Sequence, residues 1–157
     1  MPTIGIITQP VAPGKKDAFD FNDYILEVND NFVKWAGSKT VAIPFDISEE
    51  ELVRMLDQIN GVLLTGGSLT LIDEDGNQHP YYKTAKRVIE YSKMKKDEFG
   101  EDWAVLGICQ GLEVISVYQA KDDIEALDKI VIYGENRPIN WTNVESRFFK
   151  DFPDHLR

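Results

Sequence analysis

Several features that would assign a compartment or a ligand class are scarce in this sequence. Its 157 residues include a single cysteine, Cys109, so no disulfide forms within the chain and cysteine pairing says nothing about the compartment. No stretch approaches the roughly 18 apolar residues that span a bilayer, so we expect no membrane partner. The chain also lacks repeats, low-complexity tracts and Pro/Gly/Ser-rich linkers, and therefore predicts one domain over residues 1–157.

Basic residues are in deficit as well. The sequence has 17 lysines and arginines and 27 acidic residues, and its net charge is −10. Such a surface repels a phosphate backbone, so nucleic acid is not an expected partner. The one basic cluster, Lys93-Met94-Lys95-Lys96, is interpreted as a solvated helix face.

What is present is an alternation of short apolar runs with amphipathic segments. Four runs predict strands: Thr3–Thr8, Thr40–Pro44, Gly61–Thr65 and Ala104–Ile108. A fifth strand over Lys129–Tyr133 is suggested by a weaker pattern. The alternation of strands and helices indicates an α/β fold with a doubly wound, mostly parallel sheet between two helix layers.

Apolar residues at helical spacing predict the intervening helices. The first two apolar stripes are Ile25, Val28, Phe32 and Trp35 before Gly37, and Leu52, Met55, Leu56 and Ile59 after a Ser48–Glu51 capping box. The next two segments are a helix with Tyr82, Ala85 and Ile89 ending near Gly100, and Gly111–Tyr118. The run Ala104–Ile108 is continuous and apolar, which predicts a strand covered on both faces.

The residues that are candidates for a chemical role lie at the ends of two predicted strands. Gly66-Gly67 follows the third predicted strand, and Cys109 follows the fourth. Ligands of such sheets bind beyond the carboxyl ends of the strands. Gly107-Ile108-Cys109-Gln110-Gly111 has the G-x-C-x-G form of a nucleophile elbow, a sharp strand-to-helix turn that needs small neighbours. The amino end of the following helix favours the thiolate of Cys109.

An acyl-transfer nucleophile also needs donors for the oxyanion. The backbone amide of Gln110 is one candidate, and an amide of Gly66 or Gly67 is the natural second, because glycine lets the chain approach a substrate closely. The competing interpretation makes Cys109 a small buried apolar residue and the glycines ordinary turn residues. The pairing of two glycine-containing strand ends favours a nucleophile.

The segments Gly61–Ser68 and Gly107–Glu113 resemble the class I glutamine-amidotransferase-like superfamily. Within it, the opening Ile4–Gln9 and the tail Ser146–Pro153 are similar to the gamma-glutamyl hydrolase (peptidase C26) family. The resemblance implies a flavodoxin-like, three-layer α/β/α fold. It also implies a hydrolase of gamma-glutamyl amide bonds, of the folate polyglutamate type, with a small-molecule substrate and no metal or organic cofactor.

By this resemblance Cys109 is the nucleophile that forms an acyl-enzyme. Gly66, Gly67 and Gln110 match the positions of the oxyanion hole. Glu113, one helical turn after the cysteine, is expected either to bind a substrate amine or brace the site, or to serve as an ordinary packing or solvent-facing helix residue.

The family's catalytic histidine lies in a Trp-His-Pro-Glu-like segment that this sequence does not contain. The two histidines present, His79 and His155, are interpreted as surface residues, with His79 the better catalytic candidate because its loop borders the site. The sequence is therefore expected to be truncated, and this polypeptide alone is expected to have low activity. Two alternatives stay open: a glutaminase domain that passes ammonia to a synthetase partner, and a non-catalytic structural subunit.

The compartment and the assembly are less defined. The resemblance and a glycosylation sequon at Asn140-Trp141-Thr142 indicate a lysosomal, vacuolar or secreted protein, whereas Met1 as the native start would indicate the cytoplasm. A homodimer or a larger assembly is left open. An anionic glutamate tail needs a basic pocket, for which Lys83, Lys86 and Arg87 are candidates, although a solvated face is the favoured interpretation.

Overall fold

The computed structural model describes residues 1–18, 20–127 and 146. Its strands are β1 (Thr3–Ile7), β2 (Gln9–Pro10), β3 (Asp23–Tyr24), β4 (Lys39–Ile43), β5 (Gly61–Leu64) and β6 (Ala104–Gly107). Four of them form a sheet in the order β4-β1-β5-β6, and every pair in it is parallel. The short strands β2 and β3 pair antiparallel beside it. The predicted α/β fold with a parallel sheet is confirmed.

Four helices connect these strands. They are α1 (Glu27–Trp35), α2 (Glu49–Leu56), α3 (Pro80–Phe99) and α4 (Gln110–Gln119). Helix α3 ends at Gly100, whose φ of 68° is the left-handed conformation that glycine adopts without strain. The predicted cap of α2 forms at Ser48, whose hydroxyl accepts from the Glu51 amide at 3.4 Å. Glu51 differs from the capping-box prediction, because its carboxylate accepts from the Ser48 hydroxyl rather than from the backbone amide.

The larger core lies on one face of the sheet, under α2, α3 and α4. It combines alternate strand residues with the inner faces of these helices, and its fully buried members include Ile7, Leu64, Tyr82 and Val114. The predicted stripe of α2 contributes to it, with Leu52 and Leu56 each 1% exposed. Helix α4, which follows Cys109, is therefore fixed by the best-packed part of the molecule.

The opposite face carries a much smaller core under α1. Its buried members are Ile6, Val33 and Leu63. The helix is where the spacing predicts it, and Ile25 of the predicted stripe packs against this core. The other three members are not buried: Val28, Phe32 and Trp35 are 63%, 48% and 82% exposed. Val33 is the buried residue of α1, so the spacing identified the helix but not its buried side.

The prediction that the fourth strand is covered on both faces is also wrong for the described residues. Val105 packs towards the larger core, whereas Ala104 is exposed and Leu106 is 36% exposed. Strand β6 pairs only with β5 in the described sheet and lies at its edge. The apolar run reflects one covered face and one exposed face.

Some sequence predictions fall outside the described residues. They are the strand at Lys129–Tyr133, the sequon at Asn140, and His155. Among residues 1–18 and 20–127, no helix has both the length and the apolar character needed to cross a membrane.

Candidate active site

The carboxyl ends of β5 and β6 meet at one edge of the sheet. Leu64 lies opposite Gly107 in the parallel register, and the Ile108 amide donates to the Leu64 carbonyl at 2.9 Å. The loop after β5 and the turn after β6 consequently start side by side. This register brings Gly66-Gly67 next to Cys109, residues that are more than forty positions apart in the chain.

Cys109 forms a sharp turn between β6 and α4. Its φ of 55° and ψ of −117° are rare for a residue with a side chain, and such strained backbone concentrates at functional sites. The thiol is free and exposed. The side chain therefore points outward at the edge of the sheet instead of packing among aliphatic residues.

The two glycines of the elbow are sterically required. A Cβ on Gly107 would lie 2.5 Å from the Gly111 carbonyl oxygen, and a Cβ on Gly111 would overlap the Leu64 carbonyl. Both obstacles are backbone atoms, which cannot rotate away. Strand, turn and helix close around Cys109 only because these positions lack side chains.

Gly66 lies directly against the cysteine. A Cβ built on Gly66 would be 3.3 Å from Cys109 Cβ and 3.6 Å from its Sγ. A larger residue would crowd the thiol, whereas glycine leaves the loop backbone close to the sulfur.

Backbone amides of the glycine loop and of the elbow are available as donors. Within the described residues, the amides of Gly66, Gly67 and Gln110 donate to no backbone carbonyl. The Gln110 amide is the first of helix α4, where amides lack intrahelical partners and the positive end of the helix dipole favours an anion. The sequence predicts an oxyanion hole from this set, with the Gln110 amide as one donor and an amide of Gly66 or Gly67 as the other.

Two buried glutamine side chains enclose the glycine loop, and the sequence analysis missed this role for both. Gln9 and Gln110 are 7% and 3% exposed. A Cβ on Gly67 would lie 2.8 Å from Gln9 Oε1 and 2.6 Å from Gln110 Oε1. The signal in the sequence was weak: a glutamine next to a nucleophile, and another at the end of an apolar strand.

Glu113 lies on the exposed side of α4. Its backbone amide donates to the Cys109 carbonyl at 3.2 Å, and its side chain is exposed. The structure thus places this carboxylate one turn from the nucleophile, facing solvent. Its role with a substrate amine stays a prediction.

His79 has a structural role at the start of α3. Its Nδ1 accepts from the Tyr81 amide at 3.1 Å and so caps the helix, while its ring lies 6.1 Å from that of Phe45. Burial lowers the pKa of His79, which favours the neutral imidazole that this cap requires. Burial also raises the pKa of the nearby Tyr81 to about 12, so this phenol stays protonated at neutral pH.

The basic residues after the glycine loop are partly engaged in ion pairs. Lys86 Nζ lies 2.5 Å from Asp122 Oδ2, and an Arg87 guanidinium nitrogen lies 2.8 Å from Glu49 Oε2. Lys83 is exposed on the same helix. A role for these cations in binding a glutamate tail stays a prediction.

An α/β sheet with a cysteine elbow at its carboxyl edge and a glycine loop on the neighbouring strand is typical of cysteine-dependent acyl-transfer enzymes. The sequence profile of the family described as peptidase C26 matches residues 2–140. The match covers most of the chain, and the protein belongs to this family.

Curated relatives agree with this assignment. The chain is 32% identical over 158 residues to gamma-glutamyl hydrolase of Mus musculus, covering 99% of this chain and 46% of that protein. It is 29% identical over 157 residues to gamma-glutamyl hydrolase B of Dictyostelium discoideum, covering 99% of this chain and 43% of the relative. The Rattus norvegicus gamma-glutamyl hydrolase is also 29% identical, with 46% of its length covered. The chain therefore spans a little under half the length of these relatives.

Proposed function

We propose that this chain carries the nucleophile and the oxyanion hole of a cysteine-dependent hydrolase of gamma-glutamyl amide bonds. The observation that supports this most directly is the packing of Gly66 against an exposed, strained Cys109. The names of the relatives supply the bond type, since several are gamma-glutamyl hydrolases. Folate polyglutamates are the substrate class that the family resemblance implies.

In the proposed reaction the thiolate of Cys109 adds to the gamma-amide carbonyl carbon. A C–S bond forms, and the carbonyl electron pair moves to the oxygen, which the amides of Gly67 and Gln110 stabilise. One such donor is worth about 3 kcal/mol of barrier. Collapse of the intermediate breaks the C–N bond, the leaving amine takes a proton, and water then hydrolyses the thioester to release the acid and regenerate the thiol.

The proton-transfer group is not assigned to a described residue. His79 uses Nδ1 as a helix cap, and Tyr81 stays protonated. We propose that the base is the histidine of the Trp-His-Pro-Glu-like segment that the family resemblance implies, which is not among residues 1–157. The family's lysosomal, vacuolar or secreted location likewise stays a prediction.

The test is hydrolysis of a pteroyl gamma-glutamyl peptide by the native protein and by its Cys109→Ala variant. Loss of the nucleophile is expected to lower kcat/KM by at least about a thousandfold. A thioester adduct of the native protein, seen as a mass increase on Cys109, would locate the acyl group.

The matched control is Ser116→Ala, which removes a hydroxyl from the same helix. Ser116 donates to the Leu112 carbonyl on the helix itself, away from the elbow, so unchanged hydrolysis is expected. Wild-type turnover by Cys109→Ala would refute the proposal.

A non-catalytic structural subunit is the second candidate. It is favoured by one observation: His79, the histidine within the described residues, is committed to capping α3. The discriminating measurement is the intact mass of the native protein. A mass near 17.9 kDa together with no gamma-glutamyl hydrolysis would select this alternative, and a much larger mass with hydrolysis would exclude it.

A further inference from the structure

The side chain of Gln110 makes a contact that an oxyanion-hole backbone donor does not require. Its Oε1 accepts from the Leu69 amide at 3.1 Å, and its Nε2 donates to the Leu69 carbonyl at 2.8 Å. The side-chain amide thus pairs with both polar groups of one backbone residue. Among the common side chains only a primary amide offers a donor and an acceptor in this arrangement.

These two hydrogen bonds stand out because the loop makes few hydrogen bonds of its own. Within the described part of the chain, the backbone of residues 66–70 makes no backbone–backbone hydrogen bond. The loop continues strand β5 at one end, and at Leu69 it is held by packing of that side chain against the larger core and by the two bonds to Gln110. Because Gln110 is 3% exposed, water competes weakly for these bonds.

The same side chain also limits the position of Gly67. Gln110 Oε1 lies where a Cβ of Gly67 would be only 2.6 Å away, and Gln9 Oε1 lies 2.8 Å from that point. The glycine Cα is therefore packed against two buried amides. Any shift of the loop towards α4 is blocked by Gln110, and a shift away from it stretches the two bonds to Leu69.

We propose that the Gln110 side chain is a positioning residue that fixes the Gly67 amide relative to Cys109. The proposal rests on the proposed function, because it assigns Gly67 to the oxyanion hole. Gln110 would then serve both donors: its own backbone amide is one, and its side chain positions the other. The two donors are thereby held in a fixed relation across two different strands of the sheet.

The test compares Gln110→Met with the wild-type chain. Methionine keeps the length and the backbone amide but removes both hydrogen bonds to Leu69. The probe is an N-blocked gamma-glutamyl analogue with an aldehyde at the scissile carbon. The Cys109 thiolate adds to it, forming a C–S bond and an oxyanion, with no leaving group. Binding is measured at pH 9, where an ordinary thiol is largely ionised and no base is needed.

We expect Gln110→Met to weaken the aldehyde adduct by about ten- to a hundredfold, since misplacing one donor by about 1 Å has effects of this size. The rate at which iodoacetamide alkylates Cys109 should change less than about twofold, because that displacement forms no oxyanion. Hydrogen exchange at the Leu69 amide should accelerate by about three- to tenfold. Gln119→Met, the same change at an exposed position of α4, should leave all three measurements unchanged.

The outcomes separate the two proposals. If the wild-type chain binds the aldehyde no better than a free thiol does, the proposed function fails. If the wild-type chain binds it and Gln110→Met binds it equally well, the positioning role is refuted. Weaker binding without faster exchange at Leu69 would refute it too. Should Gln110→Met fail to fold, Gln110→Glu decides, because a carboxylate keeps the bond from the Leu69 amide and loses the donor: an unweakened adduct in that variant overturns the proposal.

Discussion

Strands β5 and β6 are parallel neighbours of similar composition, yet their environments differ. All four residues of β5 are buried, and Leu64 is completely inaccessible. In β6 the exposed and partly buried residues alternate. The difference arises because β5 lies inside the described sheet, between β1 and β6, with helices on both faces, whereas β6 lies at its edge and is covered on one face.

The candidate site lies at the boundary between these two environments. Its glycine loop continues the buried strand, and its thiol continues the half-exposed strand. A loop on a rigid strand can present amides with little mobility, while an edge strand leaves the nucleophile accessible. The comparison therefore explains how Cys109 is both fixed and exposed, and it can be tested by substitutions on each side.

The largest expected effect is on stability, and it differs between leucine substitutions in β5 and in β6. Leu64→Ala should lower the free energy of unfolding by about 3 kcal/mol, because it leaves a cavity in the larger core. Leu106→Ala removes the same atoms from a side chain that is 36% exposed and should cost less than about 1 kcal/mol. Urea unfolding of both variants measures the difference. Equal losses would mean that β6 is buried on both faces, contrary to the described structure.

The next effect concerns the contact of the elbow with β5. Gly111→Ala places a methyl group against the Leu64 carbonyl and should destabilise the protein by about 2 kcal/mol. In an ordinary helix the same change stabilises by up to about 1 kcal/mol, so the sign alone is informative. The control is Gly14→Ala, where nothing lies within 4 Å of the new methyl group. A stabilised Gly111→Ala protein would show that the elbow does not rest on β5.

The smallest effect concerns the helix layer that covers the inner face of β6. Asp122, just after α4, accepts from Tyr82 and Lys86 of α3, at 2.6 and 2.5 Å. Burial by itself would raise the pKa of Asp122, but the hydrogen bonds from Lys86 and Tyr82 outweigh it, and the pKa is lowered below its usual 3.8. The stabilisation is therefore complete above this value and is lost as the pH falls through the lowered pKa.

Asp122→Asn should lower the free energy of unfolding by about 1 kcal/mol at pH 7. This loss of stability should shrink as the pH is lowered below about 4. Asparagine tolerates the positive φ of 66° at this position, so the backbone is retained. Thermal unfolding at pH 7 and pH 3 provides the comparison, with the exposed Asp46→Asn as the control. If Asp122→Asn lowered the stability equally at both pH values, the result would argue against a contribution of the Asp122 charge to stability.

The elbow was predictable from the sequence because it depends on local geometry. Two glycines flanking a cysteine between an apolar run and a helical segment define a strand-to-helix turn, and the structure places that turn at Cys109. The buried side of α1 was not predictable in the same way. The spacing of Val28, Phe32 and Trp35 fits one face, but the sheet contacts Val33, because the position of a helix over a sheet is set by its connections and by the neighbouring strands.

The sequence by itself determined the alternation of the four parallel strands with four helices and the residues of the elbow, since these follow from periodicity and from short-range sterics. It did not predict the short antiparallel strands β2 and β3. Only the tertiary structure decided which face of each element is buried, that His79 caps a helix, and that Gln9 and Gln110 enclose the glycine loop. Those contacts join residues 40 or more positions apart or depend on what packs nearby. Local sequence patterns do not indicate which distant residues meet. The register of β5 against β6 brings Gln110 next to the glycine loop.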